Sequence, residues 1–283
     1  MIRFWTYHLT DSELTERVVR YAAPDVIAVQ GLPGQSQDRA EAALLRLADA
    51  TGLVCRLGRD HTGPVAAVRG GHDLAVGIMW QREVWADRLD MRVYTGPEWW
   101  HALLLVELLV EDRWVWHGSY HAPPAEGGRR RPNEAIQVVT AMQRACPGLI
   151  GGDWDNEYHY LDRHGLWLAN PSPGAVLLNP HDGVDRAAAS ILCGGHLYDA
   201  AVKLGPRRPV TTGHWPGAED GYRAADSVMA TADAVDAIRE RLILHTDEAR
   251  RASGHTPTGV LYDPRAIHTA PPHHQPSTID VVA

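Results

Sequence analysis

Leu149-Ile150-Gly151-Gly152-Asp153-Trp154-Asp155-Asn156-Glu157 decides how this chain is organised. An apolar pair that runs into two glycines and then into acids reads as a buried strand ending where polar side chains are delivered together. Three further segments follow the same logic. Pro24-Asp25-Val26-Ile27-Ala28-Val29-Gln30-Gly31 is a helix exit followed by a buried strand. Gly118-Ser119-Tyr120-His121 closes the strand that begins at Trp114. Arg223-Ala224-Ala225-Asp226 pairs with Ala252-Ser253-Gly254-His255-Thr256-Pro257 near the end of the chain.

Outward from these segments, β-like runs recur at 2–7, 26–29, 53–56, 66–68, 74–80, 103–109, 114–119, 149–152, 176–179, 223–230 and 259–262. Helical periodicity covers 11–22, 37–51, 132–146 and 185–189. Many strands with few intervening helices predict an α/β (α+β) sandwich. No internal repeat and no Pro/Gly/Ser linker divides the chain, so residues 1–263 read as one domain. The stretch from Pro264 to Ala283 is rich in proline and histidine, including His273 and His274, and reads as an unpacked tail. Glu126–Pro132, with Arg129, Arg130 and Arg131, reads as a mobile basic loop.

In their order and separation the four polar segments resemble the endonuclease/exonuclease/phosphatase superfamily, the fold of pancreatic deoxyribonuclease. The resemblance spans residues 2–263. It implies a four-layer sandwich: two packed mixed sheets, flanked by helices, with a site between the sheets at one end. It further implies phosphate-ester hydrolysis assisted by Mg2+ or Mn2+. On the family pattern His255 contacts the scissile phosphate or protonates the leaving group, and Asp226 orients that imidazole. Asp153 positions or deprotonates the attacking water, and His121 is the strand-end histidine of the deoxyribonuclease branch. Asp155, or Asn156 after a one-residue shift, and Arg223 would touch substrate.

The departures bear on function more than the matches do. Gly31 stands where the family has its metal-binding glutamate, Gly254 replaces an aspartate, and His8 replaces the asparagine near the end of the first strand. Magnesium wants hard oxygen donors, usually one or two carboxylates with waters and substrate phosphate, so losing two carboxylates weakens such a site. Metal ligands that remain are Asp153, Asp155 and His8, with Glu157 close by, and a histidine favours a softer ion such as manganese or zinc. The reading is therefore a divergent phosphoesterase. Its alternatives are an inactive pseudoenzyme that binds through the old cleft, or a repurposed metal-free enzyme.

Composition bounds these readings. Of 283 residues 45% are hydrophobic and 22% charged, which excludes disorder over most of the chain. A formal charge of −8 argues against a broadly basic binder of long nucleic acid. Cys55, Cys146 and Cys193 are too few and too scattered for a disulfide framework, so they read as buried thiols in a reducing cytoplasm. The start of the chain lacks a signal sequence, and the longest apolar run, 102–110, is about half a membrane span and interrupted by Glu107. A membrane partner is not expected. Trp99, Trp100, Trp114 and Trp116 read as core and strand-surface residues.

Overall fold

The computed structural model describes residues 1–10, 13–58, 60–84, 90–123, 130–154, 187–205, 210–212, 224–268 and 281–282. One sheet has the strand order β11 (Ile238–Ile243), β12 (Thr258–Tyr262), β1 (Ile2–His8), β2 (Val26–Pro33), β4 (Leu74–Trp80) and β3 (Ala67–Arg69). The other runs β13 (Val281–Val282), β5 (Met91–Tyr94), β6 (Leu103–Val110), β7 (Arg113–His121), β8 (Gly148–Asp153), β10 (Asp226–Thr231) and β9 (Leu197–Asp199). Both are mixed: β1 and β2 run parallel, as do β7 and β8, whereas β8 and β10 are antiparallel.

Period-two alternation sorts the strand side chains into layers. Phe4, Val26, Ala28, Ile78 and Val260 of the first sheet meet Leu104, Val106, Leu108, Leu149 and Val228 of the second in the central core. The intervening residues Trp5, Tyr7, Ile27 and Val29 face outward, under α1 (Thr15–Ala22), α2 (Gln37–Thr51) and α7 (Asp247–Ala252). On the far side Leu103, Leu105, Trp116 and Ile150 are covered by α3 (Arg130–Arg144) and α4 (Ala187–Gly194). The short helices α5 (Ala200–Leu204) and α6 (Ala232–Val235) lend Ala200, Ala234 and Val235 to the central core. The result is the expected four-layer sandwich. Among the described residues no helix is long and apolar enough to cross a membrane.

Local signals account for the element ends. Ser36 Oγ caps α2 by accepting the Arg39 N–H at 3.2 Å, and Gly52, at φ 76°, takes the left-handed C-terminal position. Several expectations need correction. The run at 53–56 pairs only through isolated bridges at Val54 and Arg56. Arg130 and Arg131 belong to the first turn of α3, not to a loop, and Arg131 is buried. The packed chain extends beyond 263: Pro264–Ala266 form a 3-10 turn that sinks Ile267 into the central core, and Val281–Val282 pair with β5. Of the cysteines only Cys55 is buried; Cys146 and Cys193 are exposed. The run at 176–179, the start of the helix expected at 185, and His273 and His274 lie outside the described residues.

Candidate active site

Strand direction explains why the polar segments meet. β1 and β2 run parallel, so His8 lies beside Gln30 in register at one end of the first sheet. β7 and β8 run parallel and bring His121 beside Asp153. Antiparallel β10 begins where β8 ends, which pairs Asp226 with Asp153. His255 precedes β12, the antiparallel neighbour of β1 on its other side, and so returns to the same end. Glycine lets the sheets approach there: a Cβ at Gly151 would lie 2.7 Å from Thr6 Cβ across the interface. Below the site a fully buried relay ties the sheets together. Thr6 Oγ1 donates to Gln30 Oε1 (3.1 Å), Gln30 Nε2 donates to Ser119 Oγ (2.9 Å), and Ser119 Oγ donates to the Val29 carbonyl (2.9 Å).

Asp153 is the hub of the cluster. His8 Nδ1 is 2.9 Å from its Oδ2, and Nε2 of His121 and of His255 both stand 3.8 Å from the same oxygen. The His8 ring centroid is 4.3 Å from that of His255 and 4.8 Å from that of His121. Asp226 Oδ2 is 2.8 Å from His255 Nδ1, so the carboxylate fixes a proton on Nδ1 and leaves Nε2 facing Asp153. The loops are pinned as well. Ser253 Oγ donates to the His8 carbonyl at 2.6 Å and accepts the His255 N–H at 3.0 Å. Thr211 Oγ1 accepts the Asp226 N–H at 3.0 Å, and Thr212 bridges to His255.

Electrostatics follow from this crowding. Burial alone would raise the Asp153 carboxyl; the charge of His255 and the hydrogen bond and charge of His8 outweigh it and hold the group well below the ordinary carboxylate range. Burial, then the neighbouring His8 and His101, push His121 well below the usual imidazole value. The site is therefore an anionic carboxylate ringed by imidazoles, of which His121 is kept neutral.

The structure brings His121, Asp153, Asp226 and His255 together and sets His8 directly on Asp153. Asp155, Asn156 and Arg223, and with them Glu157, lie outside the described residues. Arg130 lies over the Trp100 ring at 5.3 Å. Sequence reading missed His101, which stacks on His121 at 3.9 Å with its ring Nδ1 3.1 Å from the Gly71 carbonyl. Burial first, opposed by that hydrogen bond, lowers its pKa to about 4. The signal was present: His101 stands just ahead of β6, and β6 is antiparallel to β7, so its start shares an end with His121.

The donors do not fit the magnesium that the resemblance implies. Among the described residues the cluster offers Asp153 as its one carboxylate, while Asp226 is engaged by His255. Gly31 cannot be counted as an open slot. It has φ +75°, and a Cβ there would lie 2.5 Å from both His8 Cδ2 and the Leu9 carbonyl oxygen. The His8 imidazole fills the room that a residue-31 side chain would need.

No family model matches the chain. A sequence relative, the tRNA dimethylallyltransferase of Anaeromyxobacter dehalogenans, is 28% identical over 82% of this chain and 73% of its own. Backbone likeness is broader. An endonuclease/exonuclease/phosphatase from Bacteroides vulgatus matches at TM-score 0.62 and 10% identity, over 92% of this chain and 97% of its own. The fold is that of the endonuclease/exonuclease/phosphatase superfamily. Two further proteins of this fold are a 3′ phosphatase from Neisseria bound to a product DNA hairpin and D. rerio TDP2 with single-strand DNA product. The first has TM-score 0.59 and 16% identity over 93% of this chain and 100% of its own. The second has TM-score 0.57 and 13% identity over 92% and 97%. In the endonuclease/exonuclease/phosphatase fold seen here, the His8–Asp153–His255 cluster lies where strand ends of the two sheets meet.

Proposed function

We propose that the protein hydrolyses a phosphate ester of nucleic-acid type, with water attacking phosphorus beside Asp153. One observation carries this: Asp226 holds His255 at 2.8 Å so that Nε2 and the Asp153 carboxylate face one another across 3.8 Å at the cleft end. Phosphoryl transfer asks a protein for positioning and charge stabilisation more than for covalent chemistry. Asp153, anionic across the working range, accepts a hydrogen bond from the attacking water and aligns it. A proton on His255 Nε2, supported by the Asp226 carboxylate behind the ring, donates to the phosphoryl oxygen on which charge grows. His121 and His101 wall the cleft as neutral rings. The DNA products held by the Neisseria and D. rerio proteins support a nucleic-acid phosphodiester or terminal phosphate as the substrate class. A cytoplasmic setting and contact of Asp155, Asn156 and Arg223 with substrate belong to the same reading. A second reading, a binding protein of this fold, has one observation in its favour: both expected carboxylate positions, 31 and 254, are glycine.

The test is turnover of a diester (bis-p-nitrophenyl phosphate) and of 3′- and 5′-phosphorylated oligonucleotides. His255→Ala and Asp226→Asn should each lower kcat/KM by about a hundredfold or more, with the thermal unfolding midpoint of Asp226→Asn close to that of the parent. Turnover of every phosphoester unchanged in both variants, or absent in the parent, would defeat the proposal and leave the binding reading.

A further inference from the structure

We infer that His8, Asp153 and His255 form a three-ligand site for one imidazole-preferring divalent ion of the zinc class, in place of magnesium. Each residue offers one ligand atom, and these atoms lie within 4.8 Å of one another. A tetrahedral shell with bonds of about 2.1 Å puts ligand atoms roughly 3.4 Å apart, so rotations moving each by under about 1 Å close the site. Two imidazoles and a carboxylate with a remaining open position are the donor set of a catalytic zinc centre. Magnesium would find one hard oxygen where it needs several.

Three further features fit a ligand set better than a chance gathering of histidines. Asp226 stands behind His255 at 2.8 Å, the carboxylate–histidine pairing that fixes the tautomer of metal-bound imidazoles and raises their basicity. His8 is locked against Gly31, whose missing Cβ is the condition for the imidazole to lie there. The side chains of His8 and His255 keep 18% of their surface exposed, against 8% for Asp153, so an ion can reach the cluster from solvent. At present a proton joins His8 to Asp153 across 2.9 Å, and the ion would displace it. The exchanges relative to the fold's expected residues, histidine at 8 and glycine at 31, are then one event: a side chain that removes the room for a carboxylate supplies a nitrogen in its stead.

The inference rests on the proposed function and deepens it: the ion would replace the proton on His255 Nε2 and supply in its stead the positive charge that faces the phosphoryl oxygen; the ion-binding test needs no substrate. Chelator-treated full-length protein is titrated calorimetrically with zinc and, separately, with magnesium. Cobalt(II) serves as a spectroscopic probe. One zinc per chain is expected, bound at least a hundredfold more tightly than magnesium. Cobalt should give the intense visible bands of a four- or five-coordinate site, without thiolate charge transfer. His8→Asn, which keeps a short polar side chain, and Asp153→Asn should weaken zinc at least a hundredfold; the pair His273→Ala/His274→Ala controls for tail binding and should leave it unchanged. Zinc binding that survives His8→Asn, that disappears with the tail histidines, or that magnesium equals overturns the inference. Tight zinc with no phosphoester turnover would instead sink the proposed function alone, and turnover without zinc binding the ion site alone.

Discussion

At residue scale, position 31 decides what the cleft can hold. Gly31 adopts φ +75° at a register shift in β2 between Val29 and Leu32, and its would-be Cβ meets His8 and the Leu9 carbonyl oxygen at 2.5 Å. A side chain there faces both left-handed strain and a backbone collision. Gly31→Ala should therefore cost about 1–3 kcal/mol, read as a lowered urea midpoint, and should displace His8 from Asp153. Restoring the carboxylate by Gly31→Glu alone should destabilise the fold without giving magnesium binding. Combining it with His8→Asn clears the ring but leaves the left-handed strain and the Leu9 carbonyl, so the pair should be less destabilised than the sum of the single changes while still below the parent, with magnesium binding gained. Strict additivity, measured in a double-mutant cycle, would show that the two positions do not compete for one space.

At the scale of elements, α3 props up the wall of the site through one buried acid. Glu134 is fully buried, accepts the Trp100 N–H just before β6, and accepts the Tyr120 hydroxyl of β7 at 3.0 Å. Burial, only partly offset by these bonds and by Arg130, raises its pKa from 4.5 to about 7. Between those values the unfolded chain has released a proton that the folded chain still holds. Stability contributed by Glu134 is thus fully present below pH 4.5 and is lost as pH rises to about 7. Glu134→Gln removes this titration, so the difference in unfolding free energy between parent and variant should change across pH 4.5–7 and flatten above it. Parallel curves over that window would show that the acid titrates normally. Elements of this kind also mark what sequence alone conveys. β1, β2, β4, β6 and β8 are apolar runs buried on both faces and were readable as such. β11 was not: in Ile-Arg-Glu-Arg-Leu-Ile an edge strand keeps charged residues on its exposed positions and has no apolar alternation. β5 and β9 are four and three residues long, too short to carry a period.

At the scale of the molecule, site and charge pull in different directions. The family resemblance carried by the strand-end polar segments implied that His121, Asp153, Asp226 and His255 would share one site; the segments alone give no strand direction. They could not show that His8 would rest on Asp153 or that His101 would stack on His121, since ring orientation depends on packing across the sheets. Charge, by contrast, needs no fold: 27 basic against 35 acidic residues leave −8. A protein that tracks a long duplex neutralises many phosphates with arginine and lysine and shows a correspondingly steep salt dependence. Here Lys203 is paired with Asp236, Arg131 is buried and Arg130 lies over Trp100, so these three are not set out as a phosphate track, and the net charge opposes one. Turnover should therefore depend on the few phosphates next to the scissile bond. Plotting log kcat/KM against log salt for a short oligonucleotide should give a slope shallower than about −2, and a long duplex should gain nothing over it. A slope of about −5 or steeper, together with preference for the duplex, would demand a basic groove over the cleft and would overturn the expectation of a small or single-stranded phosphoester.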